Sequence, residues 1–202
     1  MCISTSTLEG KPSSRMVLLK DYTDDGFTFF TNYTSKKGQE LAANPQCSLL
    51  FYWDVMSRQI RIDGTVTKVS REKSIEYFSK RPLNSRISAY ISDQSKVIKD
   101  KQYLIDLQQK ATKEFAAENN VPCPENWGGY LIVPHEIEFW QGIFHFIIKI
   151  NLIIKNKFYL NYYKLGNDIR LHDRILFSKK PFTDPNTQIE GEKGWIIERL
   201  AP

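Results

Sequence analysis

Three strand-length runs reach Thr31 before any stretch offers a helix, and most of the helical signal then arrives in one block. Cys2–Thr7 and Ser14–Lys20 flank a turn at Glu9-Gly10-Lys11-Pro12, and Asp24-Asp25-Gly26 turns the chain into Phe27–Thr31. A short helix follows with Ser35 as its cap, then two more strands, Cys47–Trp53 and Gln59–Val69. Ser70 can cap a helix through Lys80 with Ile75 and Phe78 on one face. Pro82 ends it and suits the first turn of a second short helix through Ile91. Asp100 can cap a third, carrying Tyr103, Leu104, Leu107, Ala111 and Phe115 at three-to-four spacing. After a loop at Asn120–Asn126, strands resume at Tyr130–Val133, Ile137–Gln141, Leu171–Phe177 and Trp195–Arg199. Helices inserted among dominant strands, without regular alternation, favour an α+β chain built as a mainly antiparallel barrel over a doubly wound parallel sheet. A length of 202 residues is consistent with a single domain, 1–202.

One segment stands apart. Residues 143–166 are written almost entirely with Ile, Phe, Lys, Asn, Tyr and Leu, and contain no Ala, Val, Ser, Thr, Pro, Asp, Glu or Arg. They hold Lys149, Lys155, Lys157 and Lys164, so without them the net charge of +5 falls to +1. A general electrostatic footprint for nucleic acid is therefore absent. The segment lacks helical or alternating periodicity, and its composition favours translated non-coding sequence over a genuine β-hairpin extension. Its apolar run, Ile143 to Leu160, is broken by His145, Lys149, Asn151, Lys155, Asn156 and Lys157, which argues against a membrane span. Cys2, Cys47 and Cys123 form no CxxC pair, which points to a reducing, cytoplasmic setting and away from disulfides or a structural metal site. No apolar leader opens the chain.

Outside that segment, ordered motifs carry a resemblance. They are Gly10-Lys11-Pro12 with Ser14-Arg15-Met16, Leu18-Leu19-Lys20, Phe29-Phe30-Thr31-Asn32, Ser35-Lys36-Lys37-Gly38 and Phe51-Tyr52-Trp53. Further along come Arg58-Gln59, Ser92-Asp93-Gln94-Ser95, Trp127-Gly128-Gly129-Tyr130, Phe139-Trp140-Gln141-Gly142, Arg170–Arg174 and the ending Glu198–Pro202. In this order they resemble the pyridoxamine 5′-phosphate oxidase family, over nearly all of 1–142 and 167–202. The resemblance implies a split β-barrel homodimer with FMN at the subunit interface. It also implies oxidation of pyridoxine or pyridoxamine 5′-phosphate by molecular oxygen, giving pyridoxal 5′-phosphate and hydrogen peroxide, with ammonia from the amine.

Such a reaction needs two phosphate clamps, each combining fixed cations with neutral donors. By resemblance, Arg15, Met16, Val17, Leu18, Phe30, Thr31, Lys36, Lys37, Gln59, Gln94, Ser95, Trp140 and Arg174 surround FMN. Taken alone, Lys36 and Lys37 read as a solvated helix face, whereas Arg15 among strand residues calls for a partner. Tyr77, Arg81 and Ser85 recur every four residues, with Pro82 kinking the face so that Ser85 starts the next helix, whose free N–H groups favour an anion. With Lys20 they match the family's clamp on the substrate phosphate; alone, Tyr77 reads as core and Arg81 as pairing Glu76 or Asp54. Arg170 and His172, two apart, face one side of a strand and match the family's pair over the substrate ring.

Two departures bear on activity. The chain begins inside the first barrel strand, so the family's N-terminal cover for the active site is expected to be missing. The family joins Gly142 to Arg170 by about three residues, whereas 143–169 intervene here, separating groups that must keep close geometry. A non-catalytic chain that still binds FMN or pyridoxal phosphate is the rival reading. A flavin reductase is disfavoured by Lys20, Tyr77, Arg81 and Ser85.

Overall fold

The computed structural model describes residues 1–115, 120–142 and 173–201. The chain divides into two compact units, Met1–Leu50 with Ile62–His135, and Phe51–Arg61 with Glu136–Pro202.

In the first unit, β1 (Cys2–Ser6) lies between β2 (Pro12–Met16) and β5 (Gln46–Trp53), and the order continues through β6 (Arg58–Lys68) and β7 (Trp127–Gln141). The far side of β7 pairs with β4 (Gly26–Asn32), which pairs with β3 (Asp21–Thr23). Ser35 caps α1 (Lys36–Ala43), and Ser70 caps α2 (Arg71–Ser79) through its hydroxyl. α3 (Leu83–Ile91) and α4 (Lys101–Phe115) complete the block, with Asp100 accepting the Tyr103 N–H at 2.8 Å. Phe78, Ile87, Ala111, Val121 and Trp127 form a buried cluster between these helices and the start of β7. In the second unit β7 pairs with β8 (Asp173–Ser178), followed by β10 (Ile196–Leu200) and β9 (Gln188–Glu190). The described ladders are antiparallel, and the α+β expectation holds.

Several local expectations need correction. The second strand covers Pro12–Met16 rather than Ser14–Lys20: its ladder with β1 ends at Cys2↔Met16, and the Lys20 N–H turns instead to the Thr28 carbonyl at 2.9 Å. The segments 130–133 and 137–141 are one continuous strand. Pro134 is tolerated because the β4 ladder stops at Ile132 and the β8 ladder begins at Glu136, so no donor is needed from it on that side. Pro82 takes the N-cap of α3 rather than its first turn. On α2 Phe78 is buried but Ile75 is exposed, and on α4 Ala111 is buried while Tyr103 and Leu104 face outward. The three-residue strands β3 and β9 are too short to show a period. At Gly26, with φ of 141°, an added Cβ would lie 1.9 Å from the Ile132 carbonyl oxygen, so the β3–β4 turn requires glycine.

Candidate active site

The end of β4 and the start of α1 form one anion-seeking corner. Asn32 accepts from the Thr34 N–H at 2.8 Å and donates to the Ser92 carbonyl at 3.1 Å, tying the 92–95 loop to the strand end. Ser35 accepts the Gly38 N–H and donates to the Asn32 carbonyl, which fixes the first turn of α1. Gly38 lets that turn pass close to the Tyr33 carbonyl, where a Cβ would sit 2.2 Å from the oxygen. Lys37 is held inward as a result and is 8% exposed. Its ammonium donates to Thr31 Oγ1 at 3.1 Å, Gln94 Oε1 at 3.1 Å and Ser35 Oγ at 3.3 Å. All three acceptors are neutral. Burial, with repulsion from Arg15 added, pushes the Lys37 pKa below the ordinary lysine value. The solvated-face reading therefore fails for Lys37, while Lys36 is exposed with its ammonium 2.5 Å from Glu40 Oε1. Ser95 adopts a left-handed backbone with φ of 74°, and Thr31 Oγ1 also donates to Gln94 Oε1 at 3.3 Å.

Arg15 finds the partner its position calls for. From β2 its Nη1 donates to Thr5 Oγ1 and its Nη2 to Ser13 Oγ, both at 2.5 Å, with Glu40 Oε2 3.3 Å from Nη2. Glu40, 6% exposed, also accepts from Thr5 at 2.5 Å, Ser13 at 2.7 Å and Lys36 at 2.5 Å. Burial alone would raise its pKa. The donors from Lys36, Thr5 and Ser13 outweigh that and bring it down to about 2. Sequence reading missed Glu40. Its spacing of four from Lys36 was the only available signal, because Thr5 and Ser13 come to it through the fold. Met16 and Leu18 project outward, 75% and 69% exposed.

A second cation lies among aromatic rings. Phe30 stacks on Tyr77 at 4.0 Å and on Trp127 at 5.3 Å, and Tyr77 lies parallel to Trp127 at 6.3 Å. The Arg81 guanidinium sits 4.9 Å from the Trp127 ring centre and 5.8 Å from that of Phe78. Its Nη1 is buried without a hydrogen-bond partner among the described residues, and desolvation lowers its pKa. The expected pairing with Glu76 is not formed, since Glu76 binds Lys80 at 2.6 Å. Lys20 reaches within 6.0 Å of the Tyr77 ring centre, and the two share a cavity of about 240 Å³ with Phe30, Lys73 and Lys80. Ser85 lies in the first turn of α3, but its own N–H already bonds the Pro82 carbonyl at 2.9 Å. That removes one of the free donors expected there and leaves its hydroxyl.

In the second unit, the β7–β8 register sets Trp140 opposite Arg174. Gln141 likewise stands opposite Asp173. Arg174 donates to Glu138 at 2.8 Å, which raises its pKa; Glu138 also pairs with Arg61 at 3.1 Å. Arg58 donates to Gln141 at 2.6 Å, and Gln59 beside it on β6 is half-buried. Arg170 and His172 lie outside the described residues, as does segment 143–166.

A family model described as pyridoxamine 5′-phosphate oxidase matches residues 1–108. A pyridoxine/pyridoxamine 5′-phosphate oxidase of Gloeothece citriformis is 45% identical, over 100% of this chain and 78% of its own. A pyridoxine-5′-phosphate oxidase of Bos taurus is 42% identical, over 100% of this chain and 69% of its own. Among solved structures, PhzG of Burkholderia lata, in complex with tetrahydrophenazine-1-carboxylic acid, shares the fold with a TM-score of 0.76 at 24% identity, covering 100% of this chain and 81% of that one. An FMN-binding, pyridoxamine 5′-phosphate oxidase-related protein of Nostoc punctiforme does so with a TM-score of 0.63 at 14% identity, covering 100% and 87%. The matched family model and the whole-chain relatives place this chain in the pyridoxamine 5′-phosphate oxidase family.

Proposed function

We propose that this chain oxidises pyridoxine 5′-phosphate and pyridoxamine 5′-phosphate to pyridoxal 5′-phosphate with FMN as cofactor. Molecular oxygen is the final acceptor, and the working form is a cytoplasmic homodimer in which residues 1–202 act as one FMN-binding domain. The observation that carries the reading is Lys37: a buried ammonium whose partners among the described residues are three neutral oxygens keeps an unbalanced charge, which suits an anionic phosphate beside it. Arg81, with a buried nitrogen left over, fits a second phosphate. Two clamps match a phosphorylated cofactor and a phosphorylated substrate. Among the described residues no helix is long and apolar enough to cross a membrane.

Lys37, Arg15, Lys36, Thr31, Gln94 and Ser95 hold the FMN phosphate, and Met16, Val17, Leu18, Phe30, Gln59, Trp140 and Arg174 supply the remaining flavin contacts. Lys20, Tyr77, Arg81 and the Ser85 hydroxyl hold the substrate phosphate. Arg170 and His172 act over the substrate ring, a role that rests on the family likeness. When bound, FMN supplies the two-electron acceptor for the hydride leaving C4′ of the substrate and passes those electrons to oxygen. The protein supplies position: clamping each partner by its phosphate fixes the two reacting rings against each other without touching the reacting atoms. The stacked rings of Phe30, Tyr77 and Trp127 give the substrate clamp a rigid apolar backing.

The non-catalytic reading is the weaker one. Relatives named as oxidases match the whole chain, and Trp140 and Arg174 remain paired. The test is flavin absorbance of the purified chain followed by peroxide release on adding pyridoxine 5′-phosphate. Bound flavin with stoichiometric peroxide is expected, and bound flavin without peroxide would reject the oxidase.

A further inference from the structure

We infer that Glu40 is a positioning residue for the FMN phosphate: it tethers the Arg15 guanidinium so that one remaining N–H donor is held, together with Lys37, for a single anion. This rests on the reading of the Lys37 corner as the FMN phosphate clamp. Arg15 carries five N–H donors in a rigid fork. Nη2 is committed to Ser13 Oγ and Glu40 Oε2, and Nη1 makes one bond to Thr5 Oγ1. Nε–H and one Nη1–H have no partner among the described residues; they lie on different sides of the guanidinium, so an anion takes a single charge-assisted bond from one of them. The carboxylate itself is saturated from the far side, by Thr5, Ser13 and Lys36 in addition to Arg15. It therefore meets three elements at once: β1 through Thr5, β2 through Ser13 and Arg15, and its own helix α1 through Lys36.

The charges are divided unequally. Glu40 compensates Arg15 and Lys36, which touch it, and leaves Lys37 with neutral partners on the same helix. Arg15 still repels Lys37. A phosphate placed there relieves the repulsion and takes one remaining N–H of the fork. Without the carboxylate, Arg15 keeps its charge but loses its tether, and a guanidinium free to rotate pays an ordering cost on each binding event.

The test compares FMN with riboflavin, which lacks the phosphate, by quenching of flavin fluorescence on the full-length chain. In the parent protein FMN is expected to bind much more tightly than riboflavin. Glu40→Gln keeps the volume and removes the charge. It is expected to weaken FMN about tenfold, the scale of one charge-assisted hydrogen bond, and to leave riboflavin unchanged. Unchanged riboflavin binding also reports an intact fold. If Glu40→Gln does not fold, Ser13→Ala loosens the same guanidinium, and a smaller loss of FMN affinity in the same direction is expected. Unaltered or tighter FMN binding in the variant that folds overturns the inference, the latter by making Glu40 a competitor of the phosphate. A parent chain that binds FMN no better than riboflavin refutes the clamp reading itself.

Discussion

Lys37 and Arg81 are both cations withdrawn from water within the first unit, yet their surroundings differ. Lys37 is wrapped by oxygen acceptors from β4, α1 and the 92–95 loop. Arg81 is laid against the rings of Trp127 and Phe78 and keeps a bare nitrogen. The first environment holds its cation in one place whether or not an anion is present, which suits a cofactor that stays. The second fixes only the plane of the guanidinium and leaves its donors to the ligand, which suits a substrate that must leave. In both, desolvation lowers the cation's pKa, and an arriving phosphate favours the charged form.

The largest effect expected from this contrast is at Lys37. Lys37→Met should weaken FMN binding about a hundredfold, as for loss of a buried charged hydrogen-bonding group. Because it removes a desolvated charge, it should also raise the melting temperature of the flavin-free chain. Thermal unfolding with and without FMN checks both halves. Next, Arg81→Leu should raise KM for pyridoxine 5′-phosphate by about tenfold to thirtyfold, in line with one charge-assisted contact to phosphate, while FMN affinity holds. Steady-state kinetics at saturating FMN checks it.

How much of this was legible in advance depends on the range of each interaction. Local chemistry read well: the hydroxyls of Ser35 and Ser70 and the carboxylate of Asp100 cap the helices assigned to them. Features decided by distant partners did not. Pro134 would have ended a strand on propensity alone, and only the gap between the β4 and β8 ladders makes it harmless. Ile75, Tyr103 and Leu104 sit at helical spacing with core residues but end outside. In the site, the cations were legible as types and positions, whereas Glu40 was invisible because Thr5 and Ser13 lie 35 and 27 residues away in the chain. The division between Lys36, outward, and Lys37, inward, likewise came only with the helix orientation.

Smaller effects follow from pH. The Lys37 pKa lies below its unfolded value, so its ammonium is lost on raising pH earlier than in a free lysine. FMN affinity should fall with that loss, and the flavin-free fold should gain stability across the same window, because there the unfolded chain binds the extra proton. Glu40 acts on the acid side. Its pKa of about 2 against 4.5 means that its stabilisation is complete above 4.5 and is lost as pH falls from there toward 2. Glu40→Gln should flatten that acid limb in a denaturation series. The smallest effect concerns the unusual segment. Deleting 143–166 should leave FMN affinity within a few-fold while increasing turnover; unchanged turnover would show that the segment does not disturb the catalytic residues.

The most direct measurement is a crossed titration. FMN, and pyridoxal 5′-phosphate as a non-reacting stand-in for substrate, are each titrated into the parent chain, Lys37→Met and Arg81→Leu. Two separate clamps predict that Lys37→Met loses FMN and Arg81→Leu loses pyridoxal 5′-phosphate, each at least tenfold more than the other ligand. Equal losses of both ligands in either variant, or the reverse assignment, would contradict the two-clamp site.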